Sequence, residues 1–172
     1  MKVSTLHFPT ETSLESNIFG NLIQDFLNEK IIPNNPELTY QLYANDRLEQ
    51  KEKLKKMLEN NDIVLCDRYM YSNLAYMGVK MAQDMQTMVD YGFHLEFDIH
   101  QIPYPKLVFF LDTDEKTLKT RYKNETKLDL LEKDVSLQTK AKHNYRKLEN
   151  IIDNYYIVKP NQINKILNLI KK

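Results

Sequence analysis

The quartet Ile63-Val64-Leu65-Cys66, followed at once by Asp67-Arg68-Tyr69, restricts this chain more than any other stretch. Four apolar residues, two of them β-branched, and then a pair of opposite charges read as a short strand buried on both faces that stops at a polar site. Open α/β sheets bind their ligands at the carboxyl ends of such strands. An aspartate there can hold a metal-bound phosphate, and the adjacent arginine can grip a second phosphate through its fork of donors. Taken alone, the triplet fits a plainer reading equally well: a helix cap beside a surface charge.

The same pattern recurs. Residues 3–8, 107–111 and 155–158 are apolar, β-prone and short, and the segments between them carry helical spacing. Helices are predicted from a cap at Ser16 or Asn17 to Pro33, over 37–60, from 71 to about 88, from a cap at Thr113 or Asp114 to about 122, over 136–153 and over 162–170. Residues 89–105 read as irregular. Strands separated by helices of this length predict an α/β fold, a parallel sheet covered by helices on both faces. At 172 residues this makes one domain. Met77, Met81, Met85 and Met88 recur at helical spacing and read as core or subunit interface rather than a cofactor site.

Lys plus Arg equals Asp plus Glu at 24 each, so no overall field draws the chain to nucleic acid or a membrane, and anion binding must be local. The single cysteine, Cys66, excludes an intramolecular disulfide and fits a reducing compartment. With no long apolar run and no signal-like start, the chain is expected to be soluble and cytoplasmic.

Tyr43 and Arg47 stand four apart on one helical face. A ring and a guanidinium one turn apart can stack on a base and donate to its exocyclic oxygen; Tyr43 as a plain core tyrosine is the alternative.

The order His7-Phe8-Pro9, Tyr43 with Arg47, Asp67-Arg68-Tyr69 with Ser72 and Ala75-Tyr76, then Pro105 leading into Leu107-Val108-Phe109-Phe110-Leu111-Asp112 resembles the thymidylate kinase family of P-loop nucleoside monophosphate kinases. The resemblance runs from residue 3 to about 159 and is most specific between 40 and 76; Asp129, Glu132, Gln138 and Tyr145 extend it. It implies transfer of the terminal phosphoryl group of ATP to dTMP, with Mg²⁺, in a possible homodimer. By position, it implies that Phe8 and Pro9 shape the monophosphate pocket. Tyr43 would stack on the pyrimidine and Arg47 read its edge. Arg68 would bind the acceptor phosphate, with Asp67 near the metal and the transferring group. Ser72 would line the pocket and Tyr76 pack against the sugar. Residues 123–134 would form a lid, with Arg121, Lys127 and Asp129 as its functional positions. A deoxynucleoside kinase and a non-catalytic nucleotide-binding or dimerisation module are the other expectations.

Three departures from the family pattern stand out. His7 replaces an arginine, and Glu11 lies near where a basic residue is usual. The lid has Lys123, Lys127 and Lys133 but no arginine besides Arg121, and lysine lacks the bidentate fork. With glycines at 20, 78 and 92 alone, the sequence holds no G-x-x-x-x-G-K-[ST] loop. In the family's strand order 2-3-1-4-5, the strand that precedes that loop is central, and the unit lacking here would span about 30 residues. The sheet is therefore expected to open between strands 63–66 and 107–111. The chain is expected to be a fragment of a longer reading frame or a divergent member of impaired stability.

Overall fold

Each apolar quartet becomes a strand in the structure, a computed structural model that describes residues 1–10, 17–33, 35–114, 117, 120 and 128–171. Strands β1 (Val3–His7) and β2 (Ile63–Asp67) pair in parallel, Val3 opposite Ile63 and His7 opposite Asp67. Strands β3 (Val108–Leu111) and β4 (Tyr155–Val158) form a second parallel pair. Among the described residues no ladder joins β2 to β3. The split falls where the sequence predicts the open centre of the sheet, and Leu65 and Leu111, one on each side of it, are 49% and 54% exposed.

Between β1 and β2 lie α1 (Ile18–Leu27), α2 (Pro36–Glu49) and α3 (Lys51–Asn60). Asn35 caps α2 by accepting from the Glu37 N–H at 2.8 Å, with Pro36 at the first helical position. The single helix predicted over 37–60 breaks at Gln50. Its side-chain amide donates to Asn17 Oδ1 at 3.0 Å, so the break ties the end of α2 to the start of α1.

After β2 come α4 (Met70–Lys80) and α5 (Met85–Phe93), which runs on into a π-helical turn, His94–Ile99. The helix predicted over 71–88 is thus two. Ala82 takes a left-handed φ of 52°, and Asp84 restarts the helix by accepting from the Thr87 N–H at 3.0 Å. The stretch predicted to be irregular is helical through Ile99, because Phe93, Leu95 and Phe97 pack against the core. Met77, Met85 and Met88 are buried, which settles them as core.

The last helices are α6 (Leu130–Lys133), α7 (Val135–Leu148) and α8 (Ile163–Ile170). Helix α7 lies against α4, where Asn144 Nδ2 donates to the Ala75 carbonyl at 3.0 Å, and it ends five residues before the predicted 153. Asp114 caps as predicted, accepting from the Thr117 N–H at 2.9 Å, although most of the helix predicted beyond it lies outside the described residues. No helix among the described residues is long and apolar enough to cross a membrane.

Gly92 sits where α2, α4 and α5 meet. A Cβ there would lie 2.6 Å from the Tyr40 hydroxyl, 2.7 Å from Leu74 Cδ2 and 2.9 Å from Met70 Cε. All three side chains are fully buried, so none has room to retreat. Gly92→Ala is expected to destabilise the fold by about 1–3 kcal/mol in urea unfolding; an unchanged midpoint would mean the junction is looser than described.

Candidate active site

The parallel register puts the ends of β1 and β2 side by side, and both chains leave the sheet at the same edge. The Phe8 N–H donates to the Asp67 carbonyl at 3.0 Å, one step beyond the ladder. Phe8 is then buried with its ring edge-on to Tyr69, centroids 5.7 Å apart, and the Phe8-Pro9 peptide is cis. Thr10 is clamped by Asp46 of α2: its N–H donates to Oδ2 at 3.1 Å and its hydroxyl to Oδ1 at 2.5 Å.

Asp46 is fully buried, and burial lifts its pKa above the ordinary value against the two Thr10 hydrogen bonds, which favour the charged form. Arg47, the next residue, is also buried and turns to a different partner. Its Nε donates to Glu96 Oε2 at 2.5 Å and its Nη2 to Glu96 Oε1 at 2.7 Å. The Tyr40 hydroxyl adds a third bond to Oε1 at 3.1 Å. Arg47, expected from the resemblance to read a base edge, is thus buried and gripped by a carboxylate in the π-helical turn.

Arg68 opens the segment after β2 with a left-handed φ of 60°. That conformation costs a non-glycine residue about 1–3 kcal/mol and gathers at functional sites. Around it stand Tyr145, Tyr76, Tyr43 and Asp67. Burial opposes its charge, but those four groups outweigh burial and raise its pKa. Tyr76 donates to Gln138 Oε1 at 2.8 Å, and Tyr145 stacks on Phe110 with centroids 4.6 Å apart. Burial also pushes the Tyr145 hydroxyl up to about 12, and Ser72 hydrogen-bonds it. The Tyr43 hydroxyl is raised by burial first and then by Asp129.

Asp67 is exposed at 79% of its side chain, with His7 Nδ1 3.2 Å away. Asp129 opens α6 in a capping box with Glu132. Arg121, Lys127, Lys123 and Glu11 lie outside the described residues. Tyr43, Asp67, Tyr76 and Tyr145 thus stand near Arg68, Asp129 lies near Tyr43 and Tyr76, and Ser72 meets Tyr145, while Phe8 packs on Tyr69 and Arg47 is buried against Glu96.

The sequence analysis overlooked Tyr40, Asp46 and Glu96. Glu96 had a signal, a carboxylate between Leu95 and Phe97, since a charge inside an apolar run needs a buried partner. Asp46 had one too, three residues after Tyr43 and on its helical face.

A family model described as thymidylate kinase matches residues 7–170. A probable thymidylate kinase of Pyrococcus horikoshii is 30% identical over 155 residues, covering 87% of this chain and 69% of that protein. The thymidylate kinase of Finegoldia magna is 31% identical over 144 residues, covering 83% and 68%. Among solved structures, a thymidylate kinase from Candida albicans superposes with a TM-score of 0.75 at 20% identity, covering 98% of this chain and 80% of that one. One from Ehrlichia chaffeensis gives 0.65 at 17% identity, covering 96% and 80%. These two show the same fold.

Because the pKa of Asp46 is raised, the folded chain holds that proton more tightly than the unfolded chain. Its contribution to stability is greatest below the ordinary carboxylate pKa and falls as pH rises through the raised one. Asp46→Asn removes that decline. Urea unfolding from about pH 3.5 to about pH 7 should show the variant gaining on the natural chain as pH rises; parallel curves would contradict the assignment.

Proposed function

The chain belongs to the thymidylate kinase family, and on that premise we propose that its cleft is the acceptor half of a phosphoryl-transfer site, where dTMP receives the terminal phosphoryl group of ATP. The observation that carries the proposal is Arg68, held left-handed at the end of β2 within a ring of Tyr43, Tyr76 and Tyr145. An exposed arginine with tyrosines close by suits a phosphate with a sugar and base attached.

In this reading Arg68 takes the monophosphate with its paired N–H donors. The Tyr43 ring stacks on the base, and the guanidinium of Arg47 donates to the exocyclic oxygen at its edge. Tyr76 packs against the deoxyribose, with Ser72 and the Phe8-Pro9 turn closing the pocket. Asp129 and, by family position, Arg121 and Lys127 belong to the lid. Phosphoryl transfer asks a protein mainly to align and neutralise, so a stiff pocket of this kind supplies much of what the acceptor needs.

For magnesium this reading offers a single carboxylate, since no cluster of three metal-type ligands occurs among the described residues. Magnesium is usually bound through one or two carboxylates together with substrate phosphates, and the exposed Asp67 carboxylate beside Arg68 offers one. When bound, the ion would supply charge neutralisation at the transferring group, with Asp67 orienting it. The free thiol of Cys66 suits a cytoplasmic enzyme. Pairing of two chains would use surface other than Met77, Met85 and Met88, which lie inside the protomer.

The donor side has no such set of residues among those described. Gly20, Gly78 and Gly92 each lie inside a helix against close neighbours, so none contributes to a phosphate-binding loop. A second reading is a nucleotide-binding module that holds dTMP without transferring phosphate.

Calorimetry separates these possibilities. The natural chain should bind dTMP, and Arg68→Ala should weaken that binding about tenfold or more while leaving the weaker binding of thymidine unchanged. Equal loss for both ligands would remove Arg68 from phosphate recognition, and preference for thymidine over dTMP would favour a deoxynucleoside kinase. Formation of dTDP from ATP and dTMP would exclude the binding-only module.

A further inference from the structure

We propose that Glu96 is a positioning residue that sets base choice by fixing the plane of the Arg47 guanidinium; this rests on the reading that Arg47 faces the nucleobase. Glu96 has no exposed surface, and its carboxylate takes three hydrogen bonds, two from Arg47 and one from Tyr40. Both Nε and Nη2 of Arg47 are engaged, so the planar group is gripped at two points and cannot rotate freely. The pair with Glu96 uses Nε and Nη2 and does not use Nη1. The Nη1 corner of the fork is thus the donor that the grip of Glu96 leaves out.

A donor corner without acceptor capacity discriminates between pyrimidines. Thymine and uracil present a carbonyl oxygen at the edge where cytosine presents an amino group, and a guanidinium can satisfy the first but not the second. Were Arg47 free to swing, it could withdraw from the amino group and the discrimination would fade. Packing alone does not call for the pair, since apolar residues of similar volume usually serve a core as well as a buried ion pair does. The local backbone points the same way. A π-helical turn carries Glu96 inward while His94 and Asp98 pair with each other at the surface, and such turns are frequent at functional sites.

The test is calorimetric binding of dTMP and dCMP to the natural chain, E96Q and Y40F, with thermal unfolding run in parallel. The natural chain should prefer dTMP. In E96Q the dTMP-to-dCMP affinity ratio should fall about tenfold or more, through weaker dTMP binding at unchanged dCMP binding, and in Y40F about threefold. A purely structural role would weaken both nucleotides together and leave the ratio intact. Should E96Q fail to fold, the ratio in Y40F decides. An unchanged ratio in a folded variant overturns the role of Glu96 and leaves the base pocket standing; no preference in the natural chain overturns both.

Discussion

Two adjacent buried charges on one helix hold the cleft together. Asp46 and Arg47 of α2 point to different partners, Asp46 to the Thr10 turn after β1 and Arg47 to Glu96 in the π-helical turn after α5. Each buried charge is costly unless fully paired, and each is paired by at least two hydrogen bonds. The consequence is geometric. A loop and a helical turn distant in sequence are both referred to α2, which also carries Tyr43, so neither can drift from it without breaking hydrogen bonds to a buried charge.

The sheet supplies the other fixed reference. Parallel pairing of β1 with β2 places His7 opposite Asp67, so the turn at Pro9 and the left-handed Arg68 emerge together. Helix α7 closes the far side through Tyr145 and Gln138, which meet Tyr76 and the Arg68 surroundings. On the other flank no ladder among the described residues joins β2 to β3, and Leu65 and Leu111 are exposed.

Much of this was legible in the sequence, because strands of this kind announce themselves. Short β-branched runs flanked by polar residues located the four described strands to within a residue, and the family resemblance put Tyr43, Arg47, Asp67, Arg68 and Tyr76 forward as site residues. The breaks were not legible. Helix α2 ends at Gln50 because of a hydrogen bond to Asn17, 33 residues earlier, and no local propensity encodes that contact. The π-helical turn has no periodicity of its own, so residues 94–99 read as irregular and Glu96 went unnoticed beside its partner. Arg47 was singled out by its spacing from Tyr43, but its burial and its grip on Glu96 are tertiary facts.

The central claim is that dTMP seats with its phosphate on Arg68 and its base between Tyr43 and Arg47. A crystal structure of the chain with dTMP tests it most directly. The account predicts phosphate oxygens within hydrogen-bond distance of the Arg68 guanidinium, the pyrimidine stacked on Tyr43 and its exocyclic oxygen at Arg47 Nη1. A nucleotide bound elsewhere, or bound here with Arg68 unengaged, would contradict it.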